Sequence, residues 1–220
     1  MTAILFGSIS TIADTSELQR EAFNAAFEEH GLDWQWDQED YRAMLGSNGG
    51  ANRVADFASE RGEEVDAAAV HKTKSERFQQ TVGERAPQLR QGVADTVRAA
   101  KDAGVKVALV TTTSAANIDA LMGALAPELS AADFDLVVDG ANVDEPKPDD
   151  AVYRFALEEL GEQPDRCVAI EDNVGGVKAA TAAGIACVAF PNQNTAGHEF
   201  ATAQRRVDHL DLDELRQLIR

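Results

Sequence analysis

Apolar residues along the chain fall into short runs that alternate with helical patterns. Strand-like runs occupy residues 3–6, 105–110, 136–138, 167–170 and 185–190. Between the later runs, residues 117–125, 151–160 and 175–183 carry apolar positions at the three-to-four spacing of an amphipathic helix. Another helix, built on Val93, Val97, Ala100 and Ala103, ends at Gly104 just before the second run. The runs are apolar on both faces, as a sheet covered on both sides requires. Strands alternating with helices predict right-handed βαβ units around a parallel sheet.

Residues 16–83 break this alternation. They contain no strand-like run and four helical patterns, at 17–30, 37–45, 51–61 and 66–82, punctuated by Gly31, Gly46, Gly49-Gly50 and Gly62. The expected architecture is therefore an α/β, Rossmann-like three-layer core from residues 1–15 and 84–220, with an inserted α-helical cap at 16–83.

With 220 residues, 44% of them hydrophobic and 26% charged, the chain can bury a full core. No apolar run approaches the ~20 residues that span a bilayer, and the start lacks a basic region ahead of an apolar one. A soluble cytoplasmic monomer is expected. The formal net charge of −18 repels nucleic acid and anionic membranes, so neither is expected as a partner. Cys167 and Cys187 lie inside strand-like runs and read as reduced core residues. The four histidines have no metal-ligand spacing.

Open parallel sheets bind ligands beyond the carboxyl ends of their strands. Candidate chemistry lies there. Thr111-Thr112-Thr113-Ser114 ends the second run and opens a helix, which makes an anion site or a helix cap. Lys147 stands between Pro146 and Pro148, which hold it stiffly. Glu171-Asp172-Asn173 ends the fourth run with two carboxylates able to bind Mg²⁺, and Asp172 or Asn173 can cap the following helix.

In this order and spacing, these segments resemble the haloacid dehalogenase-like phosphotransferases, and within them the β-phosphoglucomutase and sugar-phosphate phosphatase branch. Leu5-Phe6 with Thr11-Ile12-Ala13-Asp14-Thr15 is similar to the first motif. Thr111, Lys147 and Glu171-Asp172 are similar to the second, third and fourth. Glu21-Ala22-Phe23-Asn24 and Leu45-Gly46 through Arg53 resemble the branch's cap. The resemblance implies an Mg²⁺-dependent phosphatase or phosphomutase. It implies a phosphate cradle of Thr111, Thr112 and Lys147, with Arg53 gripping a distal phosphate and Glu171 and Asp172 on the metal.

The same resemblance exposes a gap. The family's nucleophile and its acid–base aspartate fall on Gly7 and Ile9. Neither can form an aspartyl-phosphate or move a proton. Gln19 and Ala51 also depart from the branch's common His and Lys. No catalytic residue is therefore expected, and the Mg²⁺ site is a weakened remnant. The reading is an impaired enzyme that binds a small phosphorylated metabolite. An active phosphatase with an altered mechanism, in which Glu171 or Asp172 holds the attacking water, is the first alternative. A non-enzymatic interaction module is the second.

Overall fold

The structure is a computed structural model and describes residues 1–46 and 49–219. Six parallel strands form one sheet in the order β3-β2-β1-β4-β5-β6. They are β1 (Ala3–Phe6), β2 (Lys106–Val110), β3 (Leu136–Val138), β4 (Cys167–Glu171), β5 (Ala186–Ala189) and β6 (Arg205–Arg206). Register aligns Ala3 with Lys106 on one side and with Cys167 on the other, so β1 lies in the middle and is buried throughout.

Successive strand side chains face opposite ways. Ile4, Phe6, Val107, Leu109, Val168 and Ile170 build one apolar layer under helices α6 (Val93–Asp102), α7 (Ala115–Leu125) and α10 (Leu212–Arg216). Ala3, Leu5, Ala108, Ala169 and Cys187 build the other, against α8 (Ala151–Leu160) and α9 (Val174–Ala182). The small residues on this second face let α8 and α9 lie close to the sheet. Cys167 and Cys187 are free and buried, as expected from their runs. The expected three-layer α/β fold is thus present.

Residues after β1 hold a short helix, α1 (Ile9–Ile12), that the periodicity does not reveal, because four residues are too few to show a period. Then come α2 (Ser16–Glu29), α3 (Gln38–Met44), α4 (Gly50–Arg61) and α5 (Ala67–Arg85). The expected helix at 66–82 runs one turn further, to Arg85, because Phe78 and Val82 pack into the sheet layer. Helices α2 to α5 enclose a separate apolar cluster of Phe23, Phe27, Trp34, Trp36, Tyr41, Val54 and Val70. Trp36 sits 4.6 Å from Phe27 and 4.9 Å from Phe23, centroid to centroid. The expected cap residues Gly46 and Gly49-Gly50 flank Ser47 and Asn48, which lie outside the described residues. No described helix is long and apolar enough to cross a membrane.

Phe27 is fully buried in the helical cluster. Phe27→Ala should destabilise the protein by about 3–5 kcal/mol. Both tryptophans of the chain lie in that cluster, so their fluorescence in a urea titration should report the shifted midpoint.

Candidate functional site

Four strand ends meet at one place. After β1 the Gly7 amide donates to the Ile170 carbonyl at 2.8 Å. Lys147, 4% exposed, reaches in from the loop beyond β3. Its ammonium donates to the carbonyls of Gly7 and Val110 (the latter at 2.8 Å) and to Glu171 Oε1 at 2.6 Å. Three N–H bonds therefore meet three acceptors. The Tyr153 hydroxyl of α8 donates to the same Glu171 oxygen at 2.7 Å. Glu171 Oε2 is buried without a partner among the described residues. Burial pushes the Glu171 carboxyl above its ordinary value, while the Lys147 charge and the Tyr153 hydrogen bond oppose that rise. Burial, and then the Glu171 charge, push the Tyr153 phenol well up.

Glycine is needed on both sides of this carboxylate. A Cβ placed on Gly7 would overlap the Glu171 carboxylate and the Tyr153 hydroxyl. A Cβ on Gly176 would overlap the same carboxylate from α9. Glu171 thus fills the space where a side chain of residue 7 would lie. Ile9 is buried in the sheet layer with Phe6 and Ile12 and also lines the cavity.

Asp172, 4% exposed, faces the other way. It accepts from Ser8 Oγ at 2.7 Å, Asn192 Nδ2 at 2.7 Å and Asn173 Nδ2 at 3.1 Å. Ser8 Oγ is itself the cap of α1, accepting the Ser10 and Thr11 amides at 3.0 and 3.2 Å. Ser8 Oγ thus spends its one proton on the Asp172 carboxylate and both lone pairs on amides, which leaves no lone pair free for attack. Thr195 Oγ1 binds the Asp172 carbonyl at 2.6 Å. The loop that supplies Asn192 and Thr195 also reaches the helices above. Asn194 donates to Glu17 at 2.6 Å, and Arg42 of α3 donates to Asn194 Oδ1 and the Gln193 carbonyl, both at 3.2 Å.

Mg²⁺ prefers an octahedral set of oxygen ligands. Residue 7 has no carboxylate, Glu171 is committed to Lys147 and Tyr153, and Asp172 is ringed by three donors. Among the described residues no group of three His, Cys, Asp or Glu side chains is placed to hold a metal ion. Asp172 is the carboxylate of the pair that lines the cavity.

Above the strand ends lies a cavity of about 450 Å³. Its floor includes Ser8, Thr111, Thr112, Asn117 and Asn192, and its roof includes Arg53, His71 and Lys74. Thr111 Oγ1 accepts the Thr113 amide at 3.2 Å, and Ser114 caps α7, so both the capping and the cavity-lining readings of this stretch hold. Arg53 is 8% exposed, bonds the Met44 carbonyl at 3.2 Å and lies 5.7 Å from the Tyr41 ring centre. Lys74 donates to Gln19 Oε1 and lies near the Phe23 and Phe78 rings. Loss of water, then the Arg53 charge, draws its ammonium down to about 7. Ring faces favour the ammonium, but more weakly than burial disfavours it. Burial, with Lys74 and Arg53 nearby, also lowers His71 to about 4.

The structure gathers Gly7, Thr111, Thr112, Lys147, Glu171 and Asp172 at the floor and Arg53 at the roof. Tyr153, Lys74, Asn192, Asn194 and Thr195 escape the sequence reading. The loop of Asn192 follows the fifth strand, so the strand-end rule points to it. Tyr153 and Lys74 sit within helical patterns and carry no separate signal.

A parallel sheet whose ends join a threonine, a buried lysine and an acidic pair under a helical segment is a phosphoryl-transfer architecture. A family model for haloacid dehalogenase-like hydrolases matches residues 6–190, and the chain belongs to that family. Protein CbbY of Cereibacter sphaeroides is 42% identical over 94% of this chain and 91% of its own. Protein CbbY of Rhodobacter capsulatus is 36% identical over 96% of this chain and 94% of its own. The crystal structure of CbbY from Rhodobacter sphaeroides in complex with phosphate superposes with a TM-score of 0.87 at 41% identity, covering 95% of this chain and 94% of that one. A mutant of that CbbY in complex with xylulose-(1,5)bisphosphate matches equally well. The β-phosphoglucomutase of Clostridium difficile, 18% identical with a TM-score of 0.82 and covering 99% and 96% of the two chains, shares the fold. These relatives set the chain in the sugar-phosphate phosphatase branch.

Gly7→Ala should destabilise the protein by about 1–3 kcal/mol, because the added carbon must displace Glu171 or Tyr153. Gly83→Ala is the control. Nothing lies within 4 Å of its would-be Cβ in helix α5, so it should stabilise by about 0.5–1 kcal/mol. Chemical denaturation of both variants checks the opposite signs.

Proposed function

We propose that this protein binds a phosphorylated metabolite in the cavity and hydrolyses phosphate esters very poorly or not at all. The filled space at Gly7 carries the reading. An attacking oxygen is absent there, and the Glu171 carboxylate that occupies the space is neutralised by Lys147. Loss of a nucleophile and of acid–base help removes on the order of 10⁵-fold or more in rate. Residues 16–83 act as a cap over a core of 1–15 and 84–220. Thr111 and Thr112 supply neutral donors, Lys147 holds the Glu171 carboxylate beneath them, and Arg53 supplies a cation from the cap. The phosphate and the sugar bisphosphate bound in CbbY structures support a sugar phosphate as ligand. The ligand binds to a cytoplasmic monomer, and the net charge of −18 disfavours nucleic acid and anionic membranes.

Calorimetric titration with inorganic phosphate and sugar phosphates should give heat, while p-nitrophenyl phosphate with Mg²⁺ should show almost no turnover. Robust Mg²⁺-dependent turnover that Asp172→Asn abolishes would overturn the impairment and favour direct attack by a carboxylate-held water. Absence of heat with every phosphate compound would favour the interaction-module reading.

Mg²⁺ contributes little to this site. A ligand that binds only the folded state raises stability with its concentration. Replacing EDTA with millimolar MgCl₂ at matched ionic strength should therefore leave Tm unchanged to within about one degree. A rise of several degrees that Asp172→Asn removes would sink this.

A further inference from the structure

A buried nucleophile lies outside the reading above. Lys74 is 5% exposed and lines the roof of the cavity. Its amine has one hydrogen-bond partner among the described residues, the neutral amide oxygen of Gln19. It therefore lacks the carboxylate that Lys147 has in Glu171. Its nitrogen lies 5.0 Å from the Phe23 ring centre and 5.3 Å from that of Phe78. The Arg53 guanidinium lies 6.0 Å from the same Phe23 centre, so two cationic groups share one ring. The charged group that acts on Lys74 is Arg53 of α4; His71 of its own helix feels the Lys74 charge, and α2 contributes Gln19 and Phe23. None of these neighbours is a carboxylate, and burial with the Arg53 charge outweighs the pull of the rings on the ammonium, which is drawn down to about 7.

The geometry points to a second chemistry for the cavity: Lys74 forms a reversible imine with an aldehyde or ketone that carries an anionic group, and Arg53 holds the anion. The choice of a phosphate as that anion rests on the proposed function. The reactivity of the amine does not. The amine nitrogen gives its lone pair to the carbonyl carbon, and the C=O π pair moves to oxygen. One N–H proton passes to that oxygen, giving a carbinolamine. The hydroxyl then leaves with the second N–H proton as water, and a C=N bond forms. The two protons lost are those of the amine, and no oxidant or reductant takes part.

Pyridoxal 5′-phosphate, fixed by borohydride and located by peptide mass mapping, tests this on the unmodified protein. The chain has six lysines, and Lys72, Lys101 and Lys178 are exposed. Near neutral pH an amine titrating at about 7 has roughly 10³-fold more free base than an ordinary lysine. Lys74 should therefore be labelled on the order of 10-fold or more faster than the exposed lysines, after allowance for its lower basicity and restricted entry. Inorganic phosphate should slow that labelling, and pyridoxal without its phosphate should react more slowly. Label on the exposed lysines and the N-terminal amine, with Lys74 unmodified, would overturn the proposal. Equal rates for pyridoxal and its phosphate would overturn the part assigned to Arg53. Labelling of Lys74 in a protein that gives no heat with phosphate would sink the phosphate reading and leave the amine chemistry standing. The mapping uses no variant, so a Lys74→Met protein that fails to fold does not weaken it.

Discussion

The ion pair between Lys147 and Glu171 ties the strand ends together. Both side chains are almost entirely removed from water, at 5% and 0% exposure. Two charges in such a place are costly unless each finds partners, and removing one member of such a pair costs about 3–5 kcal/mol. Here the ammonium finds the carbonyls that end β1 and β2 as well as the carboxylate that ends β4. Three strands and the loop beyond a fourth are thereby fixed at one nitrogen. Tyr153 brings α8 to the same oxygen, so a helix on one face of the sheet is joined to this centre as well. The arrangement exists only because residues 7 and 176 have no side chains.

Two adjacent carboxylates receive opposite treatment. Glu171 meets a cation below the sheet ends. Asp172 meets only neutral donors, from Ser8, Asn173 and Asn192. Because strand residues alternate, neighbours in sequence face different surroundings. The Asp172 side also leads outward. Asn192 and Thr195 belong to the loop whose Asn194 bonds Glu17 and Arg42, so the floor of the cavity and the helices above it share one hydrogen-bonded segment.

Much of this was legible in the chain. Strand runs apolar on both faces placed the sheet, and the break in alternation at 16–83 marked the extra helices. Gly7 and Ile9 stood out because a motif around them was otherwise present. What the sequence hid were contacts between elements. Tyr153 in a helix reads as packing, and only the fold reveals that its hydroxyl ends on Glu171. Lys74 reads as an exposed helix lysine until α2 and α4 close over it. Lys147 read as an anion ligand, yet its three donors are spent on the protein's own oxygens. A pattern of residue types specifies where a side chain is anchored, but its hydrogen-bond partners depend on which groups the neighbouring strands present.

The charge balance of the cavity follows from these partners. With Gly7 in place of a carboxylate, and with Glu171 and Lys147 cancelling one another, Asp172 is the floor carboxylate left without a cationic partner among the described residues. Coulomb attraction strengthens as water is excluded, and the roof holds Arg53, a permanent cation, beside Lys74. The strongest pull on an anion therefore lies at the roof, while Ser8, Thr111, Asn117 and Asn192 offer the floor's neutral hydroxyl and amide partners. A ligand that is anionic at one end and rich in hydroxyls at the other matches this polarity. A second phosphate at the floor would meet the negative charge of Asp172. Glycine at position 7 thus bears on the whole cavity, because it lets Glu171 pair with Lys147 and leaves the cations of the roof to set the polarity.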